Sequence, residues 1–227
     1  MTRLVLLHGS VTNAALSWRR QAPLAADFEL VTPNRPGFPP NPPVEQVDFE
    51  HEVPWLRQVL APGDHLVAHS YGGVVALLAA PTLSLSSLTV IEPPALGVAR
   101  GNPTVEAWIK RAHALPRDDL RTYVAAFLEL VGAPFPLPDP LPPVLLQGAE
   151  AFWNERFPSE ARVPLSPLPY PVLVVTGDHE PAFEAIGDVL ERELDAERAV
   201  LPGAGHAVQN AAGFNATLTE FVRRARS

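Results

Sequence analysis

A serine followed closely by two glycines is the segment of this chain whose residue types most clearly indicate chemistry. Ser70 lies in the segment AHSYGG at positions 68–73, directly after an apolar run. Where a strand turns sharply into a helix, a serine at the turn has its hydroxyl held outward on a strained backbone. The usual form of this pattern is Gly-x-Ser-x-Gly, and Ala68 replaces the first glycine here. The segment predicts a nucleophilic serine, provided that other residues activate it.

A serine hydroxyl needs a base to take its proton, and the base needs a third group to orient it. His206 is the candidate base, in the glycine-rich segment PGAGHAV at positions 202–208. Asp178 is the candidate carboxylate, because it follows an apolar run that ends in Gly-Asp. Glu92 also follows a strand end and is the alternative acid. Ligands bind where the carboxyl ends of parallel strands meet, so these residues are expected to converge there.

The elements that would position these residues are short β-rich runs separated by helical segments. Most of the runs are continuous Val, Leu and Ile stretches, which is typical of strands covered on both faces in a parallel sheet. Alternation of such strands with helices predicts an α/β fold with helices on both faces of the sheet. The predicted strands are Arg3–His8, Phe28–Thr32, His65–Ala68, Leu88–Glu92, Val172–Thr176 and Arg198–Leu201, and the predicted helices between them are Trp18–Ala26, Phe49–Leu60, Tyr71–Ala80, Ala182–Leu194 and Asn215–Arg224.

One long region interrupts this alternation, between the fourth and fifth predicted strands. A structureless loop of that length is improbable in a compact domain. We therefore predict a helical cap over residues 94–165, with helices at 104–114, 118–131 and 144–157, and an α/β core formed by residues 1–93 and 166–227. The aromatic residues of the cap are expected to form mostly its own small core, with a minority facing a ligand: Trp108, Tyr123, Phe127, Phe152, Trp153 and Phe157.

A tetrahedral intermediate needs backbone N–H donors aimed at its oxyanion. Ser10 follows the first predicted strand, and Tyr71 begins the helix that follows Ser70. Their amides are the candidate oxyanion hole, and the N-terminus of that helix adds a partial positive charge.

Taken together, these segments resemble the α/β-hydrolase superfamily, in its serine-nucleophile, esterase- or lipase-like branch. The resemblance rests on a His8-Gly9 loop followed by Trp18, the turn NRPGF at 34–38, the segment AHSYGG, Thr176-Gly177-Asp178, and the segment GAGH at 203–206. With their flanking elements these segments cover nearly the whole chain.

The resemblance implies roles for these residues. Ser70 would be the nucleophile, His206 the general base and Asp178 its orienting acid. Glu92 stays the alternative, because some hydrolases of this type take their acid from that position. Ser10 and Tyr71 would supply the oxyanion donors. A serine at position 70 disfavours the haloalkane dehalogenase and epoxide hydrolase branches, whose nucleophile is an aspartate.

The chain differs from the family pattern at its N-terminus. It begins directly on what the family counts as its third strand. The antiparallel N-terminal strand pair is therefore expected to be missing, which leaves a six-stranded, mostly parallel sheet. The resemblance implies no cofactor.

The composition narrows the class of protein further. A net charge of −8 disfavours a nucleic-acid or anionic membrane partner. The chain has no cysteine, which excludes disulfides, thiolate metal sites and a cysteine nucleophile. No apolar run is long enough to span a bilayer, so a cytoplasmic protein with a small-molecule substrate is expected. His65 and His69 lie four residues apart along a predicted strand, roughly 13 Å, too far to share one ion, and no metal is expected.

The sequence therefore predicts a hydrolase that cleaves an ester, thioester or lactone of a small to medium apolar substrate through an acyl-enzyme on Ser70. A cofactor-free carbon–carbon bond hydrolase, lyase or perhydrolase on the same residues is the first alternative. A non-catalytic ligand-binding protein on the same fold is the second.

Overall fold

The computed structural model describes residues 1–225 and contains one sheet of six strands in the order β2-β1-β3-β4-β5-β6. All five neighbouring pairs are parallel. The strands are β1 (Thr2–Leu7), β2 (Phe28–Val31), β3 (His65–His69), β4 (Ser87–Ile91), β5 (Val172–Thr176) and β6 (Glu197–Val200). The predicted α/β fold with a six-stranded sheet is confirmed.

The continuous apolar runs form the strands at the centre of the sheet because both of their faces are covered. Every residue of β3, β4 and β5 is buried, whereas the edge strands β2 and β6 are partly exposed. Successive side chains of a strand point to opposite faces. One face of the sheet accordingly contributes Leu7, Leu66, Val90 and Val174 to one core cluster, and the other contributes Leu6, Val67, Ile91 and Val175 to a second.

Helices cover both of these faces. The α-helices are α1 (Ala14–Ser17), α2 (Phe49–Val59), α3 (Tyr71–Ala79), α4 (Pro103–His113), α5 (Leu120–Leu130), α6 (Pro143–Trp153), α7 (Pro181–Leu194) and α8 (Phe214–Arg224). Short 3₁₀ helices span Arg19–Ala26, Ala80–Thr82, Leu96–Ala99, Pro158–Glu160 and Val208–Asn210.

One predicted helix differs in type from the observed one. The segment predicted as a helix over Trp18–Ala26 forms a 3₁₀ helix instead, with Pro23 inside it. Proline lacks the N–H that an α-helical hydrogen bond requires, and its ring clashes with the carbonyl four residues earlier.

The chain between β4 and β5 is helical, as predicted, and forms α4, α5 and α6. Helix α4 packs on α7, where the rings of Trp108 and Phe183 meet edge to face at 5.6 Å. A second contact ties this region to the core, because Val47 and Glu155 form an isolated parallel bridge. Within residues 1–225, none of the helices combines the length and the hydrophobicity that a membrane crossing needs.

Two glycine turns touch at the carboxyl edge of the sheet. Gly177 follows β5, and Gly205 lies in the loop after β6, where it adopts a φ of +65°. A Cβ added to Gly177 would lie 2.1 Å from the carbonyl oxygen of Gly205. Only glycine therefore lets the two loops approach this closely.

Replacing Gly177 with alanine is expected to lower the free energy of unfolding by about 3 kcal/mol, because a methyl group would overlap a backbone oxygen that cannot move away. Gly203→Ala, in the same loop as Gly205, is the matched control. A Cβ at Gly203 meets open space, and only its φ of +78° opposes the change, so a loss of about 1 kcal/mol is expected. Urea denaturation of both variants measures the difference, and equal losses would contradict the close-approach explanation.

Candidate active site

Ser70 lies on the sharp turn between β3 and α3. Its φ of 54° and ψ of −127° are unfavourable for a residue with a side chain. The turn is held by two backbone hydrogen bonds of 2.8 Å, from the Ser70 N–H to the Ile91 carbonyl and from the Gly73 N–H to the Ser70 carbonyl. A Cβ at Gly72 would lie 2.4 Å from the His8 carbonyl oxygen, which explains the glycine there. The methyl group of Ala68 is accommodated within the buried core.

His206 meets the Ser70 hydroxyl, as the sequence predicts. Its Nε2 lies 2.9 Å from Ser70 Oγ, and its Nδ1 lies 3.4 Å from Oε2 of Glu92. The His206 carbonyl oxygen accepts a hydrogen bond from His69 Nε2 at 3.0 Å. An imidazole that carries its proton on Nδ1, towards the carboxylate, leaves Nε2 free to accept the serine proton.

The electrostatic setting keeps His206 in the form of a base. Burial lowers the pKa of His206 to about 3, and the neighbouring His179 lowers it further in the same direction. The imidazole is therefore neutral at physiological pH and available to accept a proton.

Glu92, rather than Asp178, supplies the carboxylate at His206. Glu92 follows β4, is 0 % exposed and adopts a φ of 47°. Its Oε1 accepts a hydrogen bond of 2.7 Å from the Gly177 N–H. Burial raises the pKa of Glu92 to about 8, against the opposing effects of His179 and of the Gly177 N–H.

The expectation that Asp178 orients His206 is therefore corrected. Asp178 is exposed, and its N–H donates to Oε1 of Glu184 at 3.1 Å. It occupies the turn after β5 with a φ of 52°. It is the next residue, His179, whose ring lies beside Glu92, with Nδ1 3.7 Å from Oε1.

Ser10 and Tyr71, the predicted oxyanion donors, border a cavity that Ser70 and His206 also line. The cavity has a volume of about 50 Å³. The cap supplies most of its aromatic wall through Trp108, Tyr123, Phe127, Phe152 and Phe157. Five of the six aromatic residues of the cap thus line this cavity, more than the expected minority. Tyr123, Phe127 and Phe152 also pack together in a small cluster of the cap, as the sequence predicts.

A second cavity opens on the other side of the same serine. It has a volume of about 390 Å³ and shares Ser10, Ser70 and His206 with the first. The loop after His206 forms one wall, and apolar residues of the cap form another. Leu16 and Phe135 lie in its lining and are largely exposed. Ser70 therefore lies between a small, mostly aromatic cavity and a larger apolar one.

Three side chains beside Ser70 are close enough together to bind a metal ion between them. Glu92, His179 and His206 offer ligand atoms that all lie within 4.8 Å of one another. His206 already hydrogen-bonds to Ser70, and Glu92 accepts from a backbone N–H. The spacing is explained by these hydrogen bonds, and we assign no metal ligands here.

The order of these residues along the chain and their convergence on one sheet edge match a known family. A sequence profile of the alpha/beta hydrolase family matches residues 4–216. The chain belongs to the alpha/beta hydrolase family. Among curated proteins, none matches this sequence.

Solved alpha/beta hydrolase structures share the fold at low sequence identity. MenH from S. aureus is 17 % identical, with a TM-score of 0.74 over 100 % of this chain and 95 % of its own. An alpha/beta hydrolase fold protein from Burkholderia ambifaria is 24 % identical, with a TM-score of 0.70 over 96 % and 90 %. An N-acyl homoserine lactone degrading enzyme is 20 % identical, with a TM-score of 0.62 over 97 % and 93 %.

A buried ionic cluster joins the cap of this alpha/beta hydrolase to its core beside Ser70. Arg35 is fully buried and donates to both carboxylate oxygens of Glu52, at 2.9 and 3.0 Å, and to Oε1 of Glu155 at 2.9 Å. The Ser10 hydroxyl donates to Oε2 of Glu155 at 2.5 Å. Glu155 lines the small cavity, so this cluster extends from the core to the wall of the site.

Sequence reasoning did not identify Glu52, Glu155 or His179 as parts of the site. In the sequence, Arg35 belongs to the NRPGF turn, and Glu155 lies two residues beyond the end of the apolar helix α6. A carboxylate at that position is the one local signal for this cluster. The pairing of Arg35 with Glu155 spans 120 positions and cannot be read from local spacing.

The cluster leads to a prediction about pH and stability. Burial raises the pKa of Glu155 from 4.5 to about 7. The stabilising contribution of the protonated group is therefore complete below about 4.5 and is lost as the pH rises through about 7. Relative to Glu155→Gln, which does not titrate, the wild-type free energy of unfolding is expected to fall by on the order of 3 kcal/mol between about pH 4 and about pH 8.

Urea denaturation at a series of pH values measures this difference. Glu150→Gln, which removes an exposed carboxylate from α6, is the control and is expected to follow the wild-type pH dependence. A constant difference between wild type and Glu155→Gln across the pH range would refute the assignment.

Proposed function

We propose that this alpha/beta hydrolase is a serine hydrolase that acts through an acyl-enzyme on Ser70. The observation that carries the proposal is the chain of contacts from Ser70 Oγ to His206 Nε2 at 2.9 Å and from His206 Nδ1 to Glu92 at 3.4 Å. A hydroxyl, a neutral imidazole and a buried carboxylate in this order are the groups that nucleophilic acyl transfer needs.

The proposed reaction has two halves. Ser70 Oγ attacks the substrate carbonyl carbon while His206 Nε2 takes the hydroxyl proton. The amides of Ser10 and Tyr71 hold the resulting oxyanion, and His206 then gives its proton to the leaving group as the carbonyl–leaving-group bond breaks. Water, deprotonated by His206, attacks the acyl-enzyme and releases the acid and free Ser70.

In this proposal Glu92 is the acid that orients His206. An ionised carboxylate at Nδ1 favours the correct tautomer and stabilises the imidazolium that forms when His206 accepts the proton. Asp178 takes no part, because this residue is exposed and Glu92 lies at His206 Nδ1 instead.

Glu92→Gln is expected to lower kcat by three to four orders of magnitude, roughly the effect of neutralising the acid of such a triad. Asp178→Asn is the matched control, because it makes the same chemical change at the other candidate acid, and it is expected to stay within about twofold of wild type. Steady-state hydrolysis of p-nitrophenyl acetate measures both, with Ser70→Ala as the background.

Labelling of Ser70 by a fluorophosphonate probe provides a second readout that needs no substrate. Full ester activity in Ser70→Ala would overturn the mechanism. A large loss in Asp178→Asn with little effect of Glu92→Gln would restore Asp178 as the acid. A folded protein that neither labels nor turns over esters would favour the non-catalytic ligand-binding alternative.

The two cavities support a proposal for the substrate. The cavity of about 50 Å³ has room for a short acyl group. The cavity of about 390 Å³ is bordered by the loop that carries His206, the group that protonates the leaving group. We therefore assign the acyl part to the small cavity and the leaving group to the large one. Esters, thioesters and lactones fit this division, and one structural neighbour is itself a lactone-degrading enzyme.

A panel of p-nitrophenyl esters tests the acyl side. The value of kcat/KM is expected to be highest for acetate to butyrate and to fall at least tenfold by octanoate, because a longer chain exceeds the volume of a cavity of about 50 Å³. Trp108→Ala, which removes a large side chain from the wall of that cavity, is expected to shift the optimum to longer chains. Equal rates along the whole series would refute the assignment.

The same panel, extended to lactones and β-diketones, separates the remaining alternatives. Turnover of β-diketones without turnover of esters would favour the carbon–carbon bond hydrolase, lyase or perhydrolase reading of the same residues.

A further inference from the structure

The carboxylate of Glu92 faces a second histidine besides His206. Its Oε1 lies 3.7 Å from Nδ1 of His179, while its Oε2 lies 3.4 Å from Nδ1 of His206. The rings of the two histidines are 6.1 Å apart and nearly perpendicular. One buried carboxylate thus lies between two imidazoles, only one of which contacts the serine.

We propose that His179 is a positioning residue that acts through Glu92, so that the proposed triad functions as a Ser70–His206–Glu92–His179 tetrad. The inference rests on the proposed function. In this arrangement His179 carries the positive charge that keeps Glu92 ionised and fixes the direction of its carboxylate.

The surroundings of His179 hold its ring in one place. The ring stacks on Phe183 of α7 at 5.7 Å between centroids. On the cap side, a Cβ added to Gly132 would lie 2.5 Å from the ring, so the backbone of the cap closes over it. His179 is 13 % exposed, and neither of its ring nitrogens has a hydrogen-bond partner within the described part of the chain. Glu92 is thus the polar group towards which the buried Nδ1 is positioned.

The need for a charge near Glu92 follows from its burial. A buried carboxylate without a cation keeps its proton, and a neutral Glu92 would stabilise the His206 imidazolium poorly. Burial raises the pKa of Glu92, and the opposing effect of His179 is larger than that of the Gly177 N–H. A protonated imidazole 3.7 Å from Oε1 favours the ionised form of this carboxylate.

The other charged groups near this pair lie on α4, α7 and β6 and in the turns after β5 and β6. Glu184 of α7 and Arg198 of β6 pair with each other at 2.6 Å, so their effects on Glu92 oppose one another. Glu180 precedes α7 and is paired with Arg111 of α4 at 2.6 Å. The remaining groups are His206 itself and the exposed Asp178. Of these groups the two histidines face Glu92 directly, and His179 is the one that does not contact Ser70.

His179→Phe tests the proposal, because phenylalanine keeps a flat ring against Phe183 and removes both nitrogens. The rate of Ser70 labelling by a fluorophosphonate is measured against pH. Labelling needs an ionised Glu92, so the rate rises with pH as Glu92 loses its proton. Without His179 that proton is held more tightly. The part of the pH–rate profile in which the rate increases (the rising limb) is expected to move to higher pH by about one unit. On the acid side the labelling rate is then about tenfold lower than that of wild type, and at high pH it is nearly the same.

Two further variants distinguish this role from a packing role. His179→Gln offers an N–H but no charge and is expected to show the same shift of the limb. His179→Phe in the Glu92→Gln background is expected to change the labelling rate by less than about twofold, because its effect passes through Glu92. Asp178→Asn, the neighbouring exposed residue, is the control and should leave the limb in place.

The outcomes separate this inference from the proposed function. If the wild-type protein does not label, the proposed function fails and the tetrad fails with it. If the wild type labels and both His179 variants keep the wild-type limb, the tetrad alone is overturned. The tetrad is also overturned if the labelling rate of both His179 variants falls by the same factor at every pH. It is likewise overturned if His179→Phe lowers the labelling rate further in the Glu92→Gln background. Either result would show that His179 acts through packing.

Discussion

The site depends on a carboxylate that is fully removed from water and that forms no ion pair with an arginine or lysine of residues 1–225. Glu92 follows the central strand β4 and has one backbone N–H, from Gly177, and two imidazoles around it. Transfer of a charge from water to a protein interior costs several kcal/mol unless its surroundings compensate. The turns after β5 and β6 must therefore reach Glu92 closely enough for their polar groups to surround it.

The close contacts between loops follow from this requirement. Gly177 and Gly205 touch without side chains between them, and Gly132 of the cap lies directly on the ring of His179. Each position brings a backbone nearer than any Cβ would permit. The strained backbone at Ser70 is held by the same packing, because a tightly packed surrounding fixes a conformation that is unfavourable in isolation.

A second buried cluster binds the cap to the core on the opposite side of Ser70. Arg35 joins Glu52 of α2 to Glu155, which follows α6, and Glu155 in turn accepts the Ser10 hydroxyl. The loop that presents the Ser10 amide is thereby coupled to the cap that forms the cavity wall. One network of contacts therefore holds both the loop of Ser10 and the wall of the small cavity.

The local sequence pattern was sufficient to predict the strands, the turn at Ser70 and the loop at His206, because each of these features is formed by residues adjacent in the chain. Continuous apolar runs identify buried strands, and small residues around Ser70 and His206 identify the turns at their ends. The acid could not be assigned this way. Asp178 and Glu92 both follow strands and both adopt a positive φ, and only the contacts of the folded chain show that the buried carboxylate of Glu92 is the one at His206.

The sequence by itself thus determined the parallel sheet, the edge of the sheet at which Ser70 and His206 meet, and the choice of these two residues as the proposed nucleophile and base, since periodicity and turn chemistry are properties of short segments. Only the tertiary structure decided that Glu92 meets His206, that His179 lies behind it, and that Glu155 reaches Ser10 from the cap. These contacts join residues far apart in the chain. A buried charged or polar group is unfavourable without a partner, and only the folded chain brings such partners together.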